Sequence, residues 1–435
     1  MFQSESKESF SAATRKLFSN PCFVVILWTG IARMAIYDAF LPFGKLFDRD
    51  IGVSYVQIGL LELIYSLVII WGILIGSYLS DMFPHQRSRF TGAFNCLWGC
   101  MCIVYSLATG FWWLLTVYII AGLAWFFQPA SRTYLLEQSG DNKHLAMGLF
   151  ACYRLPLLPM FLLLLCLFKF YGFVAGMRIA LFFAGVVIVF LGIVRWVFLT
   201  DLPKNSDISQ NPSLTGLIKE NSHILLFICR IAPVFVLITC IDAVSDTLYN
   251  FLIYFFLNEK AGITEAELLT GRLTIDALAV PLILWLSFQI GKNNGKRALF
   301  FLYVIPTLTI VLLLVSLIHP TASFMPSFAP VAFKKLAFLG YSFKYISDFL
   351  WMLLLAPIAM SFVPRENATK AIGVSWFLVH ISRVITAPIA GWLYQQQHIT
   401  AILFSILALN GVILFAILAF DYEFNEKTMS LILHD

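Results

Sequence analysis

The chain has 435 residues, of which 60 % are hydrophobic and 12 % charged, with a formal net charge of +5 and a mean hydropathy of +0.85. A soluble globule needs roughly a quarter of its residues charged to dress its surface, so this composition excludes one. What remains is an all-α integral membrane protein, because the apolar stretches are too long for barrel strands and a bilayer core about 30 Å thick takes roughly 20 helical residues per crossing.

Twelve such stretches follow one another at about 21–44, 54–80, 90–109, 110–130, 145–168, 178–198, 224–257, 265–290, 298–318, 335–363, 370–394 and 399–420. The first comes after a polar segment with Glu5, Lys7, Glu8, Arg15 and Lys16; it is too long for a signal-peptide core and reads as a retained helix. Arg178 and Arg195 lie near the two ends of the sixth stretch, where both are expected to reach headgroups. Loops holding Arg15, Lys16, Arg87, Arg89, Arg132, Lys143, Lys204, Lys219, Lys292, Lys296 and Arg297 alternate with loops poorer in Lys and Arg. That bias places both termini in the cytoplasm of a multi-pass protein, expected in the plasma (inner) membrane.

The longest polar interruption, about Asp201 to Ser222, divides the chain into residues 1–200, a six-helix bundle, a cytoplasmic linker at 201–222, and a second six-helix bundle at 223–435. The halves also echo each other. Gly52-Val53-Ser54 follows the first helix with Glu62 ten residues beyond the glycine, and Gly262-Ile263-Thr264 follows the seventh with Arg272 at the same offset. Arg154 precedes Pro159 by five residues, as Arg383 precedes Pro388. Together these point to two parallel repeats.

Charges inside the stretches fall in the first, second, fifth, seventh, eighth, tenth and eleventh; the third, fourth, sixth, ninth and twelfth carry none away from their ends. An ionisable group in hydrocarbon is costly unless it faces a partner or water, so this distribution marks a polar interior and points to transport.

Between the second and third stretches, Ser77-Tyr78-Leu79-Ser80-Asp81-Met82-Phe83-Pro84-His85-Gln86-Arg87 matches a Gly-x-Leu-Ala-Asp-Arg-x-Gly-Arg-Arg signature at Leu79 and Asp81, with basic residues displaced to Arg87 and Arg89 and neither glycine in register. Its second-half counterpart, Gly295-Lys296-Arg297, keeps the glycine and the basic pair and has Lys292 where the acid would stand. On these motifs and the six-plus-six division, nearly the whole chain resembles the major facilitator superfamily. The resemblance implies two six-helix bundles whose first, fourth, seventh and tenth helices line a cavity, whose second, fifth, eighth and eleventh flank it, and whose remaining four face lipid. It also implies a gating role for Asp81, Arg87 and Arg89. The four helices assigned to lipid are the charge-free ones; the uncharged fourth helix is the departure.

Nearest the middle of their stretches are Arg33, Arg154, Asp242, Asp276, Asp348 and Arg383, while Asp38, Glu62, Arg230, Asp246, Arg272, Lys344 and His380 lie farther along. Two uses of the arginines compete. They can grip an anionic group through parallel hydrogen bonds, with Arg33, Arg154, Arg383, Tyr37, Tyr153 and Trp351 as substrate-binding candidates. Alternatively, Arg33 and Arg154 pair with Asp242 or Asp348 across the halves, or with Asp38 and Glu62 within the first. Arg272 with Asp276, and Lys344 with Asp348, share a helix face and can neutralise themselves, and Arg230 reads as a headgroup anchor.

Asp242 and Asp246 share a face with like charges, which favours a proton on one of them. Asp242 is therefore the candidate for proton coupling, with Asp246, Asp276 or Asp348 as relays; a sodium ion would use the same oxygens. Among aromatics, Tyr37, Trp125, Tyr153, Tyr249, Tyr345, Trp351 and Trp376 fall on stretches expected to line or flank the cavity.

An enzyme is not expected: the chain has no P-loop, no His-Glu-x-x-His, no Gly-x-Ser-x-Gly elbow, and scattered histidines. Cys96, Cys100 and Cys102 have no His, Asp or Glu nearby and read as packing, so neither a metal nor a cofactor is expected. The expected function is secondary active transport of a small polar or anionic organic solute, proton-coupled, by a monomer in the lipid bilayer, with no nucleic-acid partner. The fifth stretch lacks the glycine- and proline-rich run of many drug exporters, which leaves a multidrug or metabolite exporter as the alternative and a non-transporting sensor or assembly partner as the third class.

Overall fold

A computed structural model describes residues 10–140, 156–200, 214–275 and 368–419, with shorter pieces inside 146–152, 300–314 and 334–344. Among the described residues the regular structure is entirely helical. Seven helices are long and apolar enough to cross a bilayer, and Pro159–Tyr171 is a shorter apolar one.

The first crossing is the helix Pro21–Asp50, started by Asn20, whose side chain accepts from the backbone N–H groups of Cys22 and Phe23, with Pro21 supplying the first helical residue. The second is Tyr55–Met82. Between them Gly52 turns with φ of +93°, Ser54 accepts from Gln57 N–H at 3.3 Å, and Gln57 reaches back to Ser54 N–H at 3.0 Å. The repeat in the second half folds the same way. Gly262 has φ of +63°, Thr264 Oγ1 accepts from Glu267 N–H at 3.3 Å, and the Glu267 carboxylate accepts from Thr264 N–H at 2.9 Å. Each is a glycine-led turn closed by a reciprocal capping box, so the sequence echo is a physical one.

The helix in the third predicted stretch, Arg87–Ser106, packs on Phe173–Phe198, in the sixth, backbone to backbone. A Cβ placed at Gly99 would stand 2.6 Å from the carbonyl oxygen of Gly185, and one at Gly185 would stand 2.7 Å from that of Gly99. In lipid, where helix association relies on close van der Waals contact, such small-residue seams set the packing. Gly99→Leu is expected to pry these helices apart and to lower the yield of monodisperse protein severalfold on size exclusion in detergent; an unchanged elution profile and melting temperature would contradict this seam.

Two boundaries differ from the sequence reading. The seventh crossing does not begin at 224: a separate helix, Leu214–Ile231, is broken from Pro233–Phe255 at Ala232, because Pro233 offers no N–H and restricts its predecessor. Leu214–Ile231 starts inside the 201–222 stretch assigned to the linker and carries Lys219, Glu220 and an exposed Arg230. Glu220 reaches Lys370 at 2.6 Å.

The fourth crossing runs on past 130. Phe111–Ala124 passes through a 3-10 turn, Trp125–Phe127, into Gln128–Gln138, and the turn lets Pro129 sit in the first turn of the next helical segment rather than end the helix. Arg132 is thus part of this helix, not of a loop, and the apparent lack of charge in the fourth helix disappears.

Arg195 corrects a further expectation. It does not reach headgroups: it is 1 % exposed, and donates to Thr29 Oγ1 at 2.8 Å, Ser131 Oγ at 3.2 Å, and the carbonyls of Ile26 and Thr91. The guanidinium ties the first, third, fourth and sixth crossings together. Arg178, at the other end, donates to the carbonyl of Ala108 at 2.6 Å, where the third helix ends.

Candidate functional site

The second crossing and the long helix Ala368–Gln395 touch along their length and join the halves. At one end a Cβ on Gly391 would meet the Tyr55 carbonyl at 2.5 Å; at the other, one on Gly373 would meet Ser77 Oγ at 2.9 Å. Between these contacts the polar interior assembles.

In the second half the centre is Asp246 on Pro233–Phe255. Its Oδ1 accepts from Asn250 Nδ2 at 2.7 Å and faces Lys344 Nζ at 3.4 Å, and its Oδ2 accepts from Arg383 Nη2 at 2.9 Å. Lys344 also lies over the Tyr249 ring, 5.6 Å from its centroid. Asp242, one turn earlier, accepts on Oδ1 from the Tyr303 hydroxyl at 2.7 Å. Lys344 thus reaches Asp246 on another helix; its expected helix-face partner, Asp348, lies outside the described residues.

In the first half Arg33 is buried, its guanidinium 4.6 Å from the centre of the Phe94 ring, and its Nε has no hydrogen-bond partner among the described residues. Tyr37, one turn on, packs edge-on against Trp98 at 4.9 Å. Tyr65 accepts a hydrogen bond from Trp125 Nε1 at 2.7 Å, and Trp125 packs against Trp376 of the other half at 5.3 Å. Arg132 lies over the Trp376 ring at 5.6 Å. His380, stacked one turn from Trp376 and edge-on to Trp125 and Tyr65, is 1 % exposed, with neither ring nitrogen bonded among the described residues.

Other charges settle into cross-half or local ties. Asp38 faces Arg272 at 3.7 Å, and Arg272, wholly buried, donates to the Tyr341 hydroxyl at 2.6 Å. The alternative of Asp38 or Glu62 as the ion-pair partner of Arg33 does not hold: Glu62 pairs with Lys45 at 2.7 Å.

Nearer the Asp50 end of the first crossing, Glu259 gathers donors from both halves. Arg49 reaches its Oε1 at 2.8 Å, Tyr55 donates to the same oxygen at 2.5 Å, and Tyr394 donates to Oε2 at 2.9 Å. Glu259 is presented by a π-helical turn, Phe256–Lys260, a distortion often found at functional positions. Lys45 adds a bond across the halves to the Asn250 carbonyl at 3.0 Å.

At the opposite end Asp81 pairs with Arg87 at 3.0 Å, and Arg87 also donates to the Ser80 carbonyl and pairs with Glu137. Arg89 is exposed. Among the described residues, the ion pairs at this end stay within one half, whereas Arg49–Glu259 at the other end crosses between halves.

Of the sequence candidates, Asp246 and Arg383 meet in the second half with Asp242 one turn away, while Arg33 and Tyr37 lie on the first helix against Phe94 and Trp98. Arg154, Tyr153, Trp351, Asp276 and Asp348, like the Lys292 to Arg297 loop, lie outside the described residues. Sequence reasoning missed Tyr65, Tyr303, Arg132 and Glu259 as site or sealing residues. A helical count carried through Pro129 would have found Arg132; nothing in the sequence marks Glu259.

No curated protein matches the chain in sequence. Among solved structures, a mutant of the nucleoside transporter NupG superposes with a TM-score of 0.64 at 12 % identity, covering 92 % of this chain and 99 % of that one. The human organic anion transporter MFSD10 (TETRAN) superposes with a TM-score of 0.63 at 13 % identity, covering 93 % and 99 %. The family model described as Major Facilitator Superfamily matches residues 26–357, most of the chain, and agrees with a helical pair of halves meeting at a buried polar centre: the chain belongs to the Major Facilitator Superfamily.

Proposed function

We propose that this membrane transporter moves a small polar or anionic organic solute by alternating access, coupled to protons, with its solute site at the Arg33, Tyr37 and Arg383 cluster and its halves rocking about that site. One observation carries the reading: buried cations occur in both halves, Arg33 in the first and Arg272 and Lys344 in the second, and Arg33 has no carboxylate within ion-pair distance among the described residues. Arg154, Tyr153 and Trp351 extend the same binding candidates. Solved structures of similar fold include a nucleoside transporter and an organic anion transporter, both carriers of polar organic molecules by name.

The aspartates divide the coupling work. Both oxygens of Asp246 are engaged by cations or an amide, which makes it a structural hub. Asp242 faces a neutral tyrosine hydroxyl, which can donate to a carboxylate or accept from a carboxylic acid, so either protonation state keeps a hydrogen bond. Asp242 is accordingly the proton carrier, with Asp246, Asp276 and Asp348 as relay candidates. The solute-loaded carrier works as a monomer in the plasma membrane, with both termini cytoplasmic.

Asp242→Asn tests the coupling. In proteoliposomes with an imposed pH gradient, the variant is expected to lose gradient-driven accumulation of labelled organic anions at least tenfold while keeping solute exchange across the membrane. Full uphill transport by the variant would end the coupling role.

A further inference from the structure

The arginine that the fourth helix adds to the interior narrows the chemistry of the solute, an inference that rests on the transport reading above. Arg33, buried on the first helix against Phe94, and Arg132, on the fourth helix against Trp376, both belong to the first half. Neither has a carboxylate within ion-pair distance among the described residues. A guanidinium in a low-dielectric interior with no counter-charge is costly unless an anion visits it. The aromatic wall stands beside Arg132. Arg132 covers one face of Trp376, and Trp376, His380, Trp125 and Tyr65 form a continuous run of rings shared between the halves.

His380 supplies a second, independent indication. A neutral imidazole carries one donor and one acceptor, and burying both without partners costs free energy that a ligand's polar atoms would recover. Packing alone does not call for a histidine between two tryptophans, where a phenylalanine would carry no such cost. Arg33 Nε and Trp98 Nε1 are further buried donors without a partner among the described residues. The interior is therefore rich in unspent donors and in flat apolar faces.

We propose that the solute is an aromatic organic anion, its acidic group met by Arg132, with Arg33 as the other uncompensated cation of the first half, and its ring laid against Trp376 and His380. Arg132 leaves the face of Trp376 for the anion when the solute enters, and the solute's ring takes the place of the guanidinium there. Because Arg132 belongs to one half and Trp376 to the other, the same solute bridges both halves.

The test measures binding to the purified full-length protein of four probes: 2-naphthalenesulfonate, 1-butanesulfonate, 2-naphthalenemethanol and benzylamine. The expected order puts 2-naphthalenesulfonate at least tenfold tighter than any other. Arg132→Gln should weaken it at least tenfold with Arg132→Lys intermediate, and Trp376→Leu should weaken it at least tenfold while Trp376→Phe retains most binding; melting curves and size exclusion verify that each variant is folded. Equal affinity for the butyl and naphthyl sulfonates, or indifference to both Arg132 and Trp376 substitutions with anion binding still lost in Arg33→Gln, would overturn the aromatic-anion assignment and leave the transport reading intact. Preference for benzylamine or for the neutral alcohol, or binding of none of the four, would overturn the assignment, and preference for benzylamine would remove the anionic-solute reading with it.

Discussion

Asp246→Ala is expected to reduce transport of organic anions roughly a hundredfold. The substitution removes the carboxylate that faces Lys344 and Arg383 together and the acceptor for Asn250, so three elements of the second half lose their common anchor. Breaking a buried ion pair from one side costs about 3–5 kcal/mol, and the partial exposure of Arg383 brings the expected loss toward the lower end. About 3 kcal/mol corresponds to roughly two decades in rate. Asp246→Asn, which keeps a carbonyl oxygen for Asn250, should fall less. Adding Lys344→Gln to Asp246→Asn should recover part of the loss, since the excess cation goes with the lost anion. Initial rates in proteoliposomes measure all three; a double variant no better than Asp246→Asn would contradict a charge-balance role for this cluster.

Much of this cluster could be read from residue order, and the reasons are physical. An aspartate or arginine in a span of hydrocarbon length must look inward, so Arg33, Asp242, Asp246 and Arg383 were visible as interior groups before any coordinates. The two Gly-x-Ser/Thr turns were visible as an echo because both halves need a left-handed residue followed by a helix cap. What residue order did not reveal was pairing. Asp246 draws its partners from helices nearly a hundred residues or more downstream, and helical periodicity is silent about which helices meet.

Arg195 and Arg132 show a second limit. Arg195 lies toward a helix end, where a long cation ordinarily reaches headgroups, so depth along the sequence suggests anchoring, and Arg132 reads as a loop residue beyond the end of its stretch. The third and sixth helices come together on glycines, and this close approach buries Arg195 among hydroxyl and carbonyl oxygens. Arg132 was hidden by Pro129, which ends most helices but here follows a 3-10 turn that has already released the hydrogen bond proline cannot make.

Glu259→Ala is expected to shift the protein toward the conformation open at the Glu259 end. Three donors, two from the first half and one from the second, converge on this carboxylate, and Tyr55 and Tyr394 also pack their rings together at 4.9 Å. The site is partly exposed, so charge screening discounts its ionic part; about 1–3 kcal/mol of bias toward the closed end is reasonable for such a set. A shift of that size changes the ratio of the two conformations roughly ten- to a hundredfold. Glu259→Gln should lie between, because the amide keeps an acceptor for one tyrosine while losing the attraction to Arg49. Solvent accessibility of a cysteine placed at Tyr37 checks the direction: labelling from the Glu259 side should rise in Glu259→Ala. Labelling that stays constant would mean these bonds decorate the rim without holding it.

The halves should move as two bodies about the cluster at Arg33, Arg383 and Trp376, opening one end as the other closes. Pulsed electron-electron distance measurements on spin labels at exposed positions test this most directly, with one pair at Ser54 and Gln396 near Glu259 and another at Lys16 and Ser222 at the opposite end. In Glu259→Ala relative to the parent protein, the first distance distribution should lengthen while the second shortens. Two distributions that lengthen together, or that both stay where they were, would contradict rocking about a central site.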